Sequence, residues 1–417
     1  MEQRRKNLTQ LFIPICLETL LYMLSGMVDT LMLSSVNDQA VGAVGTANTY
    51  IGIFIIMFSV ISSGMVAVMT QNIGAGRPGV AYQARQLGLV FNAALGVIMS
   101  LFLSLGAGTI LSGVGVADAL MQPAKTYLQI VGGFCILNAL IPICSSYLRA
   151  FGFSKEPLYA SIIGNVINFC LNAFFLFVLH KGVAGVATAT VISRIINLVI
   201  VVLLGAVLVK AKQHPERESN RAVMGQIIRI GLPSACETAI YNVSMTLVIR
   251  FLNQMDAQGL NVTARSYTMQ ITNFSYCVGA ALAQANAIMT GWHIGAKEYD
   301  ACDRGTKKAA VIGVIVAVIL ETVFTLCSGW IMQLFSKDPQ MVSLVGKLLA
   351  IDIVLEIGRV TNLVYGQALK TSGDAVFPVV MGACFMILCS VGGTYLFGIR
   401  LFAIFSDQDN CPFLIFC

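Results

Sequence analysis

Glu18, Tyr22, Ser25 and Asp29 stand at i, i+4, i+7 and i+11 within an otherwise apolar stretch. At about 100° per residue all four fall within about 60° of one another on a helix, forming one polar stripe. Acids and hydroxyls in such a stripe can hold a cation or pass a proton. An acid at the centre of a membrane helix costs roughly 2.5–3.5 kcal/mol on insertion scales, so it turns toward the protein interior. Desolvation disfavours the charged form of an acid and so favours uptake of a proton or cation. Hydrogen bonding to neighbouring helices is the plain structural alternative, and it stays open for Glu18 in particular.

Two more stripes use the same geometry. Ser161, Asn165, Asn168 and Asn172 repeat the i, i+4, i+7, i+11 spacing, and three amides on one face serve as packing glue or as cavity lining. Asp352, Glu356 and Arg359 share a face further on, where Glu356 and Arg359 at i, i+3 read as a structural ion pair. Arg194 lies inside an apolar run and calls for an acidic partner, either Asp29 or Glu18.

These residues sit on a duplicated frame. Pro14, Glu18, Thr19, Tyr22 and Ser25 recur as Pro233, Glu237, Thr238, Tyr241 and Ser244, displaced by 219 residues. Ile73-Gly74-Ala75 returns as Ile294-Gly295-Ala296, and Leu148-Arg149, Gly152 and Pro157 return as Leu369-Lys370, Gly373 and Pro378, each displaced by 221. A register held across three distant segments marks an internal repeat. Asp29 maps onto Val248 and so breaks the symmetry, which singles it out for ion coupling. The symmetric Glu18 and Glu237, with Tyr22, Tyr241 and Asp352, are candidates to line a cleft and attract cations.

The elements that must carry these stripes are membrane helices. The chain is 57% hydrophobic and 11% charged, with mean hydropathy +0.81, whereas a soluble globule carries about 25% charged residues. Eleven apolar runs can each cross a bilayer: 9–34, 44–72, 86–112, 125–148, 157–179, 183–209, 224–252, 264–292, 309–334, 341–368 and 376–400. The first is too long for a signal peptide and is followed by more spans. With the N-terminus cytoplasmic, 17 basic residues fall inside and seven outside, which follows the positive-inside rule. The net charge of +6 is thus a topology signal, with no aromatic-interleaved basic patch for nucleic acid. No G-x-x-x-x-G-K-[ST] loop for nucleotide is present. Twelve scattered cysteines and three histidines give no metal motif and no catalytic triad, so neither a metal centre nor an enzyme is expected.

The fold class expected is an all-α membrane protein of two pseudo-symmetric six-helix lobes in parallel repeat. The first lobe covers 1–209 with helices one to six, and 210–222 is a polar cytoplasmic linker. The second lobe covers 223–400 with helices seven to eleven, and an aberrant tail occupies 401–417. Under the 221 offset a twelfth helix would begin near residue 403, where Asp407, Asp409 and Pro412 interrupt the apolar pattern, so the last helix of the second lobe is expected to be missing.

Several motifs resemble, in order and spacing, the multidrug and toxic compound extrusion (MATE) family over residues 8 to about 400. They are Pro14 with Met27-Val28-Asp29-Thr30, then Gln71-Asn72-Ile73-Gly74-Ala75-Gly76, then Asn168-Phe-Cys-Leu-Asn172. Gly182-Val-Ala-Gly185, Ala189-Thr190-Val191-Ile192-Ser193 and Gly358-Arg359 with Leu369-Lys370, Gly373-Asp374 and Phe377-Pro378 complete the set. The resemblance implies a secondary antiporter of a bacterial inner (plasma) membrane that exports organic cations or amphiphiles in exchange for protons or sodium ions. It implies an ion-coupling cluster of Asp29, Asn168, Asn172 and Thr190, with Asn172 standing where many members carry a second aspartate. Small organic substrates and membrane lipids are the partners implied, with no cofactor beyond the coupling ion. Two alternatives remain: a lipid or lipid-linked oligosaccharide flippase of the same superfamily, or an inactive truncated copy. A flippase cavity is more basic than one offering only Arg194 and Arg359, and a passive channel would need a continuous polar ring.

Overall fold

A computed structural model describes residues 6–35, 38–113, 116, 118–209, 216–255, 260–333 and 338–396. Thirteen α-helices and no strand occur among them. In order they are α1 (Leu8–Ser34), α2 (Asp38–Gly74), α3 (Pro78–Gly113), α4 (Asp118–Tyr127), α5 (Ile136–Ala150), α6 (Lys155–Ala173) and α7 (Gly182–Leu208). Then come α8 (Asn220–Met255), α9 (Leu260–Gly295), α10 (Tyr299–Leu326), the short α11 (Ser328–Met332), α12 (Pro339–Ser372) and α13 (Val376–Phe385). Wider π turns at Leu128–Gly132, Phe174–Val178 and Met386–Val391 follow α4, α6 and α13.

Seven of these helical segments are long and apolar enough to cross a membrane, and the pair Leu120–Gly132 and Ile136–Ala150, bent by 42°, supplies an eighth. The helices α8, α9 and α12 are equally long, at 36, 36 and 34 residues, but carry more polar side chains. Each of the eleven apolar runs thus has a long helical segment over it. Residues 210–215 of the linker, the 401–417 tail and any twelfth helix lie outside the described residues.

The chain forms two compact units. One comprises Met1–Leu232 with Gly291–Glu298, the other Pro233–Thr290 with Tyr299–Cys417. The division falls inside α8 and near the end of α9, because glycines let those helix ends press onto α2. A Cβ on Gly64 would collide with the Ile227 carbonyl, and one on Gly231 with that of Val60. Likewise a Cβ on Gly74 would strike the Trp292 carbonyl, and one on Gly295 that of Gln71. Small residues of this kind let membrane helices approach backbone to backbone. The Trp292 indole completes this packing by donating to the Ala150 carbonyl at 2.9 Å.

Helix ends repeat as faithfully as the sequence. After α5, Phe153 N donates to Leu148 O at 2.9 Å with Gly152 at φ 84°; after α12, Asp374 N donates to Leu369 O at 3.1 Å with Gly373 at φ 105°. Both are left-handed caps that glycine adopts without a Cβ clash. Arg149 and Lys370 lie in the last turns that these caps close.

Candidate cation-coupling site

In the first unit α1 packs along α6, and three polar contacts join them in one register. Ser161 Oγ donates to Glu18 Oε1 at 3.3 Å, Asn165 Nδ2 to Leu21 O at 3.5 Å, and Asn172 Nδ2 to Asp29 Oδ1 at 2.6 Å. Each pair is separated by 143 or 144 residues, so the two helices run parallel and their stripes face each other like the halves of a zip. One stripe predicted from spacing therefore satisfies the other.

At the Glu18 end the stripe is neutralised. Arg149 Nη2 donates to Glu18 Oε2 at 2.6 Å, with both side chains mostly buried. At the Asp29 end no matching base is bonded among the described residues. Asn172, wholly buried, splits its amide between Asp29 and Asn168 Oδ1, the latter at 3.2 Å, and its own Oδ1 has no hydrogen-bond partner. Among the described residues Arg194 forms no direct ion pair; its charge reaches Asp29 only through space. Thr190 is buried on the neighbouring α7, and its hydroxyl donates within its own helix, to Val186 O at 2.9 Å. The structure thus brings Asp29, Asn172 and Asn168 into one hydrogen-bonded group and places Thr190 on an adjoining helix without a bond to it. Asp29 keeps part of its surface open. A half-buried carboxylate held by amides and not by a base can exchange a counter-ion, which a salt-bridged one cannot do without breaking the bridge.

The second unit keeps one end of this arrangement and drops the other. Glu237 pairs with Lys370, the repeat counterparts of Glu18 and Arg149. Opposite Glu237, where Ser161 has its counterpart, stands Gly382. Val248, the counterpart of Asp29, is buried with Leu252, Leu348 and Leu349 in an apolar core. Tyr22 and Tyr241 are exposed, at 66% and 42%. Asp352 and Glu356 are wholly buried and share Arg359, which reaches Glu356 Oε2 at 2.5 Å and Asp352 Oδ1 at 3.1 Å.

The sequence reading missed the partners Arg149 and Lys370 and the buried Glu321 on α10. The signal for the first two was present, since the repeat equates both members of each pair: Glu18 with Glu237, and Arg149 with Lys370. Glu321 stood as a lone acid in an apolar run, with nothing in its spacing to name its neighbours.

The family model MatE matches residues 14–174 and 233–396, one match in each half of the repeat. The chain belongs to the MatE family. Among its relatives, the "Uncharacterized transporter YisQ" of Bacillus subtilis is 33% identical over 394 residues, covering 93% of this chain and 86% of that one. The "Probable multidrug resistance protein NorM" of Thermotoga maritima is 22% identical over 387 residues, covering 90% and 82%. A crystal structure of MATE in the bent conformation superposes with TM-score 0.85 at 17% identity, covering 94% of this chain and 87% of that chain. A MATE structure in the straight conformation also gives 0.85, at 18% identity, so the fold is common to both. MatE proteins are transporters and not enzymes, and this chain is a multi-pass membrane transporter of that family.

Proposed function

We propose that this MatE transporter is a secondary antiporter that exports small organic cations or amphiphilic compounds in exchange for protons or sodium ions. It works in a bacterial plasma membrane with its N-terminus cytoplasmic. The observation that carries this reading is Asp29: a half-buried acid held at 2.6 Å by Asn172 with no base bonded to it, at a position where the repeat puts Val248. Its relatives named as multidrug resistance proteins support the substrate class, and the basic-residue asymmetry supports the orientation.

Asp29 is the ion-exchanging group, Asn172 and Asn168 orient it, and Thr190 borders the site from α7. An antiporter needs an ion that binds two conformations with different strength, since only differential affinity shifts an equilibrium. Ion uptake at Asp29 removes a charge from the α1–α6 seam and so changes which arrangement of that seam is preferred. The exposed rings of Tyr22 and Tyr241, each one helical turn from a Glu–base pair, offer π faces to an organic cation.

Proteoliposomes loaded with a fluorescent organic cation and driven by a pH or sodium gradient test the reading. Uphill dye movement is expected for the intact protein and at least a tenfold loss for Asp29→Asn, whereas Thr30→Ala, on the same helix, retains transport. Undiminished coupled transport in Asp29→Asn would rule the mechanism out.

A further inference from the structure

Arg265 of the second unit is a base with no acid to answer it. It lies on the second turn of α9 and is partly buried. Among the described residues its hydrogen-bond partner is a thioether: Nη2 donates to Met245 Sδ of α8 at 3.3 Å. The titratable group its charge acts on is the Tyr241 phenol, one turn along α8 from Met245. No carboxylate bonds to it among the described residues, and Glu237, the acid on the same stretch of α8, is held by Lys370. A thioether is a weak acceptor, so most of the guanidinium's N–H donors stay unused. A cation withdrawn from water in this way is unfavourable until an anion meets it.

Packing does not demand this charge. Under the 221 offset Arg265 matches Val44, which packs against Leu33, Ala40, Leu176 and Val186. The halves therefore break their symmetry with opposite signs, Asp29 against Val248 and Arg265 against Val44. Nor does Arg265 reach away from the protein as a snorkelling end residue does, because its head turns across to α8. What surrounds it is polarizable and open. Arg265, Met269 and Tyr276 stand at i, i+4 and i+11 and so share a face of α9. Met269, Tyr276 and Tyr241 are all exposed, and Tyr276 lies within electrostatic reach of Tyr241.

We propose that Arg265 is a specificity-determining residue that takes up a carboxylate of the substrate, so that the preferred substrates are zwitterionic amphiphiles carrying an anion as well as a cationic nitrogen. A guanidinium fork matches a carboxylate with two parallel hydrogen bonds, which a thioether cannot replace. The Tyr241 ring offers its face to the cationic group, and the thioethers of Met245 and Met269 give the apolar body an adaptable surface. Tyr241 and Met245 are one helical turn apart, so the two charges of the substrate are read about 5–6 Å from each other. The proposal names the substrate class of the transporter and rests on the antiport reading for transport. Binding itself needs neither Asp29 nor a gradient.

The test uses the full-length protein purified in detergent and two dyes that differ by one group. Rhodamine B carries a free carboxylate and is a zwitterion at neutral pH; its ethyl ester is a plain cation. Fluorescence polarisation measures the affinity for each. The intact protein is expected to bind rhodamine B more tightly than the ester. In Arg265→Gln the ratio of the two affinities is expected to shift at least tenfold toward the ester, and Arg265→Lys, which keeps the charge without the fork, is expected to restore part of it. An unchanged ratio in Arg265→Gln overturns the proposal, and so does equal loss of both dyes, the mark of a merely structural arginine. Failure of the intact protein to bind rhodamine B also overturns it. Displacement of rhodamine B by added phosphatidylglycerol would make a lipid headgroup the occupant and overturn it as well. Gradient-driven uptake of the same dyes into proteoliposomes keeps the two readings apart: ester binding without uphill uptake sinks the antiport and leaves the Arg265 result standing.

Discussion

Each half of the chain keeps one mostly buried Glu–base pair and one position that the other half fills differently. The pairs Glu18–Arg149 and Glu237–Lys370 act on stability. Removing one partner from a buried pair leaves an uncompensated charge, worth roughly 3–5 kcal/mol, while removing both is far milder. Glu18→Gln and Arg149→Met are each expected to lower the thermal midpoint in detergent, and the double substitution is expected to lower it less than the sum of the two. A fully additive double mutant would show that the 2.6 Å contact carries no coupling. The polar stripes were legible from spacing alone, and so was the oddity of Asp29, because 3.6-residue periodicity and the repeat offset are properties of the sequence. What Glu18 faces was not legible from α1 itself, and only the repeat, which equates both members of each pair, pointed to it. Its partner lies 131 residues away, and no periodicity within α1 can encode which helix α1 will meet.

Helix ends offer a sharper comparison between the two halves. After α2, Arg77 N donates to Asn72 O at 2.8 Å with Gly76 at φ 73°; after α9, Glu298 N donates to His293 O at 2.8 Å with Lys297 at φ 61°. The caps are the same, but the second half places a side chain in the left-handed region. Such a residue costs about 1–2 kcal/mol relative to glycine. Lys297→Gly is therefore expected to stabilise the protein by about 1 kcal/mol, read as a higher midpoint in denaturant or heat. The change takes away one positive charge and leaves the His293–Glu298 contact at 2.8 Å intact. Conversely, Gly64→Leu forces α2 and α8 apart at their tightest crossing and is expected to lower stability by about 1–3 kcal/mol, the cost of overpacking. The apolar runs predicted the helices well, and run 125–148 forms a span that is not straight. In the structure it contains a π turn and a 42° bend around Gly133–Cys135. Gly132-Gly133 was the only local hint, and a glycine pair states that a helix can bend without stating that it does.

Over the whole chain, composition and basic-residue bias carry the most information and the fewest details. They give a multi-pass protein, and the proposed orientation rests on where lysine and arginine fall and not on any contact. In a cysteine-free background, a cysteine at Arg77 or at the exposed Lys307 is expected to react with a membrane-impermeant maleimide in inside-out vesicles. It is expected to stay unreacted in right-side-out ones; the reverse pattern would invert the assigned topology. The composition of the first unit was not foreseeable in the same way. Asn220–Leu232 and Gly291–Glu298 group with the first unit, where glycine-to-carbonyl packing holds them against α2.

The crossing of α2 with α9 has a form that the duplication explains. Gly74 and Gly295 are the same residue of the ancestral half, and so are Gln71 and Trp292. Gly74 touches Trp292 while Gly295 touches Gln71: residue i meets j, and j meets i. That reciprocity is the mark of an isologous interface, the kind two identical subunits make across a two-fold axis. A protein of one half alone would build this contact between two copies of itself. Within one chain the same reciprocity is an internal seam, so the two faces meet by covalent connection and not by concentration. A first half expressed without the second would leave Gly64, Gly74 and the Ala150 carbonyl uncovered, ready to accept a homologous chain in place of their own.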